Sequence, residues 1–248
     1  SRTRAIIPAH LYGHPVDMNP LLTIARRHHL TVIEDAAEAH GATYHHKSVG
    51  NLGNMGCFSL YANKIITTGE GGIAVTNSKA LADRMRSLRN LARSPHHHFL
   101  HQQIGFAYRL SNLQAALGIA QLERAHTYIA KKQHIARLYT RLLSNLPLTP
   151  PVQKSYAQSV FWHYAILLNS KLQRDHLAKT LARQGIETRH FFIPLHLQPA
   201  FIKLGLFKNE SYPVAEDLSD HGLCLPSGLA ITDTQIRTVC QLVRQFLS

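Results

Sequence analysis

The chain has 248 residues, of which 45% are hydrophobic and 17% charged, and it carries a formal net charge of +13 at pH 7. This composition excludes an intrinsically disordered chain and is sufficient for one large domain or two small ones. No apolar run approaches the ~20 residues that cross a bilayer, and the opening SRTRAIIPAH lacks a signal region, so we expect a cytoplasmic protein with no membrane partner.

The first half of the chain alternates between strand and helix patterns. Apolar and β-branched runs predict strands over 5–10 and 31–36, and the helical spacing between them, opened by an Asn-Pro pair, predicts a helix. This order is that of a βαβ unit, which implies parallel strands joined by a right-handed crossover. Further strands are predicted over 57–62 and 71–76, followed by a helix over about 78–92.

The second half opens with an alanine-rich helical pattern that is longer than an ordinary helix. It covers 110–143, so we predict a break near 126–128, and the proline-rich stretch 146–153 indicates a connector. Strands and amphipathic helices then alternate. The strands are predicted over 160–168, 187–192 and 223–226, and the helices over 171–184, 211–222 and 233–247, the last capped by Thr232.

These patterns predict an α/β fold with a mainly parallel sheet in the first half and a smaller α+β unit in the second. We place the division inside the long helical pattern. This gives a large domain over 1–127 and a small C-terminal domain over 128–248.

The excess of basic residues allows two kinds of partner, nucleic acid or an anionic small molecule such as a nucleotide. Most lysines and arginines are spread through the helical patterns instead of forming a run with interleaved aromatic residues. We therefore favour the small anion, and a nucleic-acid-binding module remains an alternative that rests on charge alone.

Neither the cysteines nor the histidines have the spacing of a metal site. Cys57, Cys224 and Cys240 are far apart and form no CxxC pair, which indicates reduced structural thiols. The histidines at 96–98 and His101 follow a Ser-Pro pair, without a carboxylate or cysteine in a rigid frame. We expect a solvated loop there and no metal cofactor.

Two side chains that can carry chemistry follow predicted strands of the first half. Asp35 ends TVIED, and Lys64 follows FSLYAN in a glycine-rich connection, NKIITTGEGG. Ligands gather at strand ends in open parallel sheets. A lysine able to form a Schiff base and a carboxylate able to face a pyridine nitrogen are the minimum protein apparatus for pyridoxal phosphate. Ser59 is a candidate phosphate ligand, and on spacing alone a solvated turn lysine is the other interpretation of Lys64.

Six ordered segments, running from about Thr3 to the end, resemble the nucleotide-sugar aminotransferases, and most of all the perosamine-forming branch of that family. The segments are PAHLYGHPVDM, VIEDAAEAHGA, GCFSLYANKIITTGEGG, YRLSNLQAALGIAQLE, GIETRHFFIPLHLQPA and YPVAEDLSDHGLCLP. The resemblance implies a pyridoxal-phosphate enzyme of the aspartate-aminotransferase fold, homodimeric when complete, that transfers the amine of glutamate to a 4-keto-6-deoxy sugar nucleotide. Relatives that remove a hydroxyl carry histidine in place of the lysine, so Lys64 favours transamination.

The same resemblance assigns roles to residues near the two strand ends. It implies that Lys64 is the Schiff-base lysine and proton shuttle, and that Asp35 is the partner of the pyridinium nitrogen. Glu38 matches a position beside the cofactor ring, Ser59 a phosphate ligand, and Asn63 a neighbour that orders the lysine strand. The alternatives are a charged turn residue at Glu38 and a backbone-bonded hydroxyl at Ser59.

Substrate contacts are implied less directly. Five residues fall in stretches that, in the family, approach the active site or the domain junction: His10, Tyr12, Trp162, Arg189 and His196. Each is a candidate substrate residue, and each is equally explained by packing or by a surface position. Arg189 is the most informative of them because a guanidinium suits a pyrophosphate.

The sequence departs from the family pattern in three places. Ala107 replaces an asparagine that reaches the cofactor phosphate of the neighbouring subunit, which removes a hydrogen bond worth ~1.5–3 kcal/mol. His190 replaces a proline. Complete relatives also carry a long segment before the first matching block, which supplies part of the phosphate cradle and the outer strands of the sheet. We therefore expect a truncated large domain with weak or no activity alone; the alternative is a non-catalytic remnant or a subunit that needs a separate N-terminal chain.

Overall fold

The computed structural model describes residues 2–94, 97, 99–101 and 103–248. Of the predicted solvated loop, His97 and His101 are exposed, while His96 and His98 lie outside the described residues. The chain divides into two compact units, Ser1–Lys131 with Gln153–Trp162, and Lys132–Val152 with His163–Ser248. The boundary at 127/128 remains a prediction, and the structure adds the returning segment Gln153–Trp162 to the first unit.

The first unit is built on a mainly parallel sheet. Its strands are β1 Ala5–Ile6, β2 Thr31–Asp35, β3 Thr43–Tyr44, β4 Lys47–Ser48, β5 Met55–Ser59, β6 Gly72–Val75 and β7 Ala157–Gln158. The main sheet has the order β1-β2-β5-β6, in which the first three strands are parallel and β6 is antiparallel to β5. The predicted α/β class is therefore confirmed. A small antiparallel sheet, β4-β3-β7, lies in the same unit.

The predicted strand over 5–10 is interrupted early. Pro8 has no N–H to donate to a ladder, and regular pairing ends at Ile6. The chain nevertheless stays beside β2, because the Asp35 N–H donates to the Pro8 carbonyl at 2.9 Å and the His10 N–H donates to the Asp35 carbonyl at 3.0 Å. This keeps residues 8–10 at the end of β2.

Two of the helices of the first unit begin at a capping serine. The helices of this unit are α1 Met18–Arg27, α2 Lys79–Arg89, α3 Asn112–Glu123 and the start of α4 Ala125–Leu142. The Ser78 and Ser111 hydroxyls accept from the N–H groups of Leu81 and Gln114. The break in the long helical pattern falls at Arg124, slightly earlier than the predicted 126–128.

The second unit contains an antiparallel sheet covered by helices. Its elements after α4 are β8 Tyr164–Leu167, α5 Lys171–Arg183, β9 Arg189–His190, α6 Pro199–Lys203, α7 Pro213–His221, β10 Gly222–Leu225 and α8 Asp233–Leu247. The sheet order is β8-β10-β9. Thr232 caps α8 as predicted, in a capping box with Gln235. Among the described residues, no helix has both the length and the apolar character needed to span a bilayer.

Candidate active site

The candidate site is organised by the ends of two adjacent parallel strands. Asp35 is the last residue of β2, and Ser59 is the last residue of β5, which pairs with β2 in the register Asp35 to Cys57. The connection that follows β5 folds back tightly, since the Leu60 N–H donates to the Gly71 carbonyl at 2.9 Å. Gly71 has a φ of +139°, and a Cβ there would lie 2.6 Å from the Leu110 side chain. Only glycine fits at position 71, where the connection that carries Lys64 returns to the end of β5.

The amine of Lys64 is held between a carboxylate and an aromatic ring. Its Nζ lies 3.7 Å from Glu38 Oε1 and 3.8 Å from the ring centroid of Trp162. The Lys64 side chain is only 11% exposed and that of Glu38 14%. A solvated turn lysine would be free in water, so this geometry disfavours that interpretation of Lys64.

Burial and charge shift the pKa values of this pair in opposite directions. Burial lowers the pKa of Lys64 below its usual value, and the Glu38 and Asp35 carboxylates only partly oppose this. Burial raises the pKa of Glu38, against the hydrogen bond from Tyr12 and the charge of Lys64. The amine is therefore easier to deprotonate than an ordinary lysine, which suits a group that must act as a nucleophile and a base.

Asp35 belongs to the same electrostatic environment. Its carboxylate accepts a hydrogen bond from the Ala37 N–H at 3.0 Å and is otherwise open to solvent at the strand end. Its negative charge raises the pKa of both Glu38 and Lys64. The structure therefore brings Asp35, Glu38 and Lys64 within electrostatic reach of one another.

Ser59 and Asn63 flank the lysine along the chain. The Ser59 hydroxyl oxygen accepts from the Tyr61 N–H at 3.2 Å, which leaves its hydrogen available to another acceptor. The side chain of Asn63 is exposed, and the backbone carbonyl of Asn63 accepts a hydrogen bond from the indole N–H of Trp162 at 2.9 Å. Asn63 thus orders the lysine segment through its backbone.

Of the predicted substrate residues, Tyr12 lies in this cluster and His10 does not. The Tyr12 N–H donates to Glu38 Oε2 at 2.7 Å, and its ring lies 6.5 Å from that of Trp162. His10 is fully buried, with Nε2 bonded to Glu34 at 3.0 Å and Nδ1 accepting from the Val16 N–H at 3.1 Å. Both ring nitrogens of His10 are therefore engaged within the core, and its role toward a substrate remains a prediction.

Two more of the predicted substrate residues, Arg189 and His196, belong to the second unit. Arg189 is exposed in β9, opposite Cys224. His196 is largely buried in a short 3₁₀ turn, where it bonds Glu216 Oε1 at 2.8 Å and packs against the Tyr212 ring. Their roles toward a substrate remain predictions.

The structure brings two residues closer to Lys64 than the sequence indicates, namely Trp162, the fifth candidate substrate residue, and His40. Trp162 was placed only in a stretch near the site, although it is the one tryptophan of the chain. His40 was not singled out; burial, helped by the charge of Lys64, lowers its pKa to about 4, so its imidazole is neutral. Its only signal in the sequence is its position two residues after Glu38, in the connection between β2 and β3.

The donor set fits pyridoxal phosphate and does not resemble a metal centre. The site offers a buried amine for a carbonyl carbon, a solvent-facing carboxylate for a ring nitrogen, and a hydroxyl hydrogen for a phosphate oxygen. Across the part of the chain that the structure describes, no three histidine, cysteine, aspartate or glutamate side chains come together as metal ligands. Cys57, Cys224 and Cys240 form no disulfide bonds.

Comparisons with known proteins agree with this chemistry. The family model of the DegT/DnrJ/EryC1/StrS aminotransferases matches residues 1–244. GDP-perosamine synthase of Caulobacter vibrioides is 42% identical over 99% of this chain and 67% of its own length. The putative pyridoxal phosphate-dependent aminotransferase EpsN of Bacillus subtilis is 37% identical over 98% of this chain and 63% of its own length. The crystal structure of S. venezuelae DesV in complex with a ketimine intermediate covers 100% of this chain and 66% of its own, with a TM-score of 0.92 and 34% identity. The chain thus spans about two thirds of the length of these relatives.

Proposed function

Because this chain belongs to the DegT/DnrJ/EryC1/StrS aminotransferase family, whose cofactor is pyridoxal phosphate, we propose that it transfers the amine of glutamate to a 4-keto-6-deoxy sugar nucleotide. The reaction is of the GDP-perosamine synthase type. One observation carries the proposal: a buried amine at Lys64 shares its environment with the carboxylates of Asp35 and Glu38 at the ends of adjacent strands.

Three side chains of the site would hold the cofactor. Lys64 would bond its carbonyl carbon, Asp35 would keep a proton on its ring nitrogen, and Ser59 would donate to a phosphate oxygen. Pyridoxal phosphate supplies an electron-withdrawing ring, which lets a proton leave the carbon that bears the amine. Ala107 has no side-chain donor and adds nothing to the phosphate contacts.

Lys64 is the group placed to move protons. Its lowered pKa raises the fraction of neutral amine near pH 7, and a neutral Nζ can take a proton from one carbon and return it to another. Glu38, at 3.7 Å, stabilises the ammonium form between these transfers. The pair therefore provides an amine that accepts a proton and a carboxylate that stabilises the resulting ammonium group.

The charge of the chain suits an anionic substrate. A sugar nucleotide carries a pyrophosphate, and a net charge of +13 favours its encounter with the protein. Exposed Arg189 is the candidate side chain for that group, because a guanidinium donates in a fork that matches phosphate oxygens. His196, already bonded to Glu216, is less available.

We propose that the protein is a cytoplasmic homodimer. Glutamate and sugar nucleotides are metabolites of that compartment, and the family resemblance implies two subunits per enzyme. Analytical ultracentrifugation tests the dimer, and a monomer at working concentration would contradict it.

Product analysis tests the proposed reaction. The chain is incubated with pyridoxal phosphate, glutamate and GDP-4-keto-6-deoxymannose, with Lys64→Met as the matched control. We expect the unaltered chain to form 2-oxoglutarate and the aminated sugar nucleotide slowly and in equal amounts, and the variant to form neither.

Other outcomes have distinct meanings. Formation of 2-oxoglutarate without an amino sugar would point to a different acceptor. Absence of both products from a folded chain would support the non-catalytic alternative, or the need for a separate chain.

A further inference from the structure

Trp162 reaches the site on the segment that returns to the first unit. The Val160 N–H donates to the Gly13 carbonyl at 3.1 Å, and the Trp162 N–H donates to the Tyr12 carbonyl at 2.9 Å. Tyr12 and Phe161 have φ values of +54° and +49°, in the left-handed region that aromatic residues rarely adopt. The two hydrogen bonds between 12–13 and 160–162 thus hold Tyr12 and Phe161 in unfavourable backbone conformations, as is common beside functional groups.

The side chain of Trp162 makes two contacts that bear on Lys64. Its indole N–H donates to the carbonyl of Asn63, the residue before the lysine, at 2.9 Å. The face of its ring lies 3.8 Å from Lys64 Nζ, and the residue is 4% exposed. One side chain therefore fixes both the backbone leading into Lys64 and the amine at its end.

Glu38 completes the arrangement from the opposite direction. One of its oxygens lies 3.7 Å from Lys64 Nζ, and the other accepts the Tyr12 N–H at 2.7 Å. Tyr12 in turn accepts the Trp162 N–H through its carbonyl. The contacts form a closed circuit from Lys64 through Trp162, Tyr12 and Glu38 back to Lys64.

From this circuit we propose that Trp162 is a positioning residue for Lys64. The face of the Trp162 ring holds the Lys64 amine against Glu38 when no cofactor is bonded to it. The proposal rests on the proposed function, because it concerns the same lysine. An ammonium over the face of an indole is attracted by the negative face of the ring, more strongly when water is excluded. Trp162 thus determines where the amine rests before it bonds a partner.

The first test uses the fluorescence of the single tryptophan in the chain without cofactor. Emission is followed from pH 6 to 11 in the unaltered chain, in Lys64→Met and in Lys64→Arg. We expect a change in the unaltered chain as the amine loses its proton, and no such change in either variant. Tyrosine ionisation is common to all three proteins and cancels in the difference. Superimposable profiles would overturn the proposal.

The second test measures the reactivity of Lys64 by competitive labelling with an amine reagent and peptide mapping, again without cofactor. Trp162→Leu keeps an apolar neighbour but removes the ring face, so we expect the labelling midpoint to move ~0.5–1 pH unit lower, equivalent to ~3- to 10-fold more labelling below the midpoint. Trp162→Phe restores a ring face and should lie nearer the unaltered chain. A midpoint in folded Trp162→Leu equal to that of the unaltered chain would overturn the proposal.

The two tests separate this inference from the proposed function. If Trp162→Leu fails to fold, the fluorescence comparison still decides, because it leaves Trp162 in place. A negative result in either test rejects the role of Trp162 but says nothing against amine transfer, which is judged by its products.

Discussion

Replacing Glu34 with glutamine should destabilise the first unit strongly, although Glu34 is not part of the candidate site. The side chain is fully buried one residue before Asp35, on the opposite face of β2. It accepts four hydrogen bonds, from His10 Nε2 at 3.0 Å and from the backbone N–H groups of Gly50 at 2.7 Å, Leu52 at 2.6 Å and Gly53 at 2.6 Å. The carboxylate thereby attaches the loop at 50–53 to the strand that carries Asp35.

The magnitude follows from the donors that glutamine cannot serve. All four partners donate, because the Val16 N–H donates to His10 Nδ1 and leaves Nε2 to carry the hydrogen. Each carboxylate oxygen accepts two of these bonds, and a glutamine amide presents an NH₂ group in place of one oxygen. Two buried donors lose their acceptor at ~1–3 kcal/mol each, so Glu34→Gln should lower the free energy of unfolding by ~2–6 kcal/mol.

Urea denaturation at pH 7 measures this difference, with exposed Glu123→Gln as the control. The effect should depend on pH. Burial opposes ionisation of Glu34, but the bonds from His10 and the loop outweigh it and hold its pKa below the usual value. Its stabilisation is therefore complete above the ordinary glutamate pKa and is lost as the pH falls through the lowered one, so the two proteins should converge in acid. A Glu34→Gln chain within ~0.5 kcal/mol of the control at pH 7 would refute the reasoning.

Three further predictions concern other parts of the molecule. Burial lowers the pKa of Lys132 to about 7, so the unfolded chain binds a proton at this lysine that the folded chain lacks above that pH. The free energy of unfolding should therefore rise with pH between about 7 and 10, by up to ~1.4 kcal/mol per pH unit. Lys132→Met should flatten this rise in thermal melts. Gly56→Ala places a Cβ 2.2 Å from the Gly50 carbonyl oxygen and should cost ~1–3 kcal/mol in urea denaturation, whereas Gly228→Ala, with nothing within 4 Å, should cost little. Asp35→Asn should leave Lys64 able to bond the cofactor but slow a single turnover with glutamate ~100-fold or more, and an unchanged absorbance transient would contradict that role.

The local part of the fold followed from the sequence. Helical spacing placed α1, α2, α5, α7 and α8 close to their observed bounds, and Thr232 marked the start of α8, because these signals lie in or beside the helix itself. Apolar runs and glycines predicted a strand before Asp35 and another before Lys64, and the structure adds that these two strands, β2 and β5, are neighbours. The predicted features depend on residues close together in the chain.

The parts that sequence reasoning missed depend on distant partners. The predicted strand over 160–168 begins only at Tyr164, because Phe161 is left-handed and the residues on either side of it hydrogen-bond to residues 12–13 instead. β3, β4 and β7 are two residues long and show no period. The contact of Trp162 with Asn63 and Lys64 joins residues about a hundred positions apart, for which one sequence carries no signal.

Reductive trapping tests the central claim most directly. The chain is mixed with pyridoxal phosphate, cofactor binding is confirmed by absorbance, and the mixture is reduced with borohydride before peptide mapping. The account predicts a stable cofactor adduct on the peptide containing Lys64 and its loss in Lys64→Met. An adduct on another lysine, with Lys64 unmodified in a chain that binds the cofactor, would contradict it.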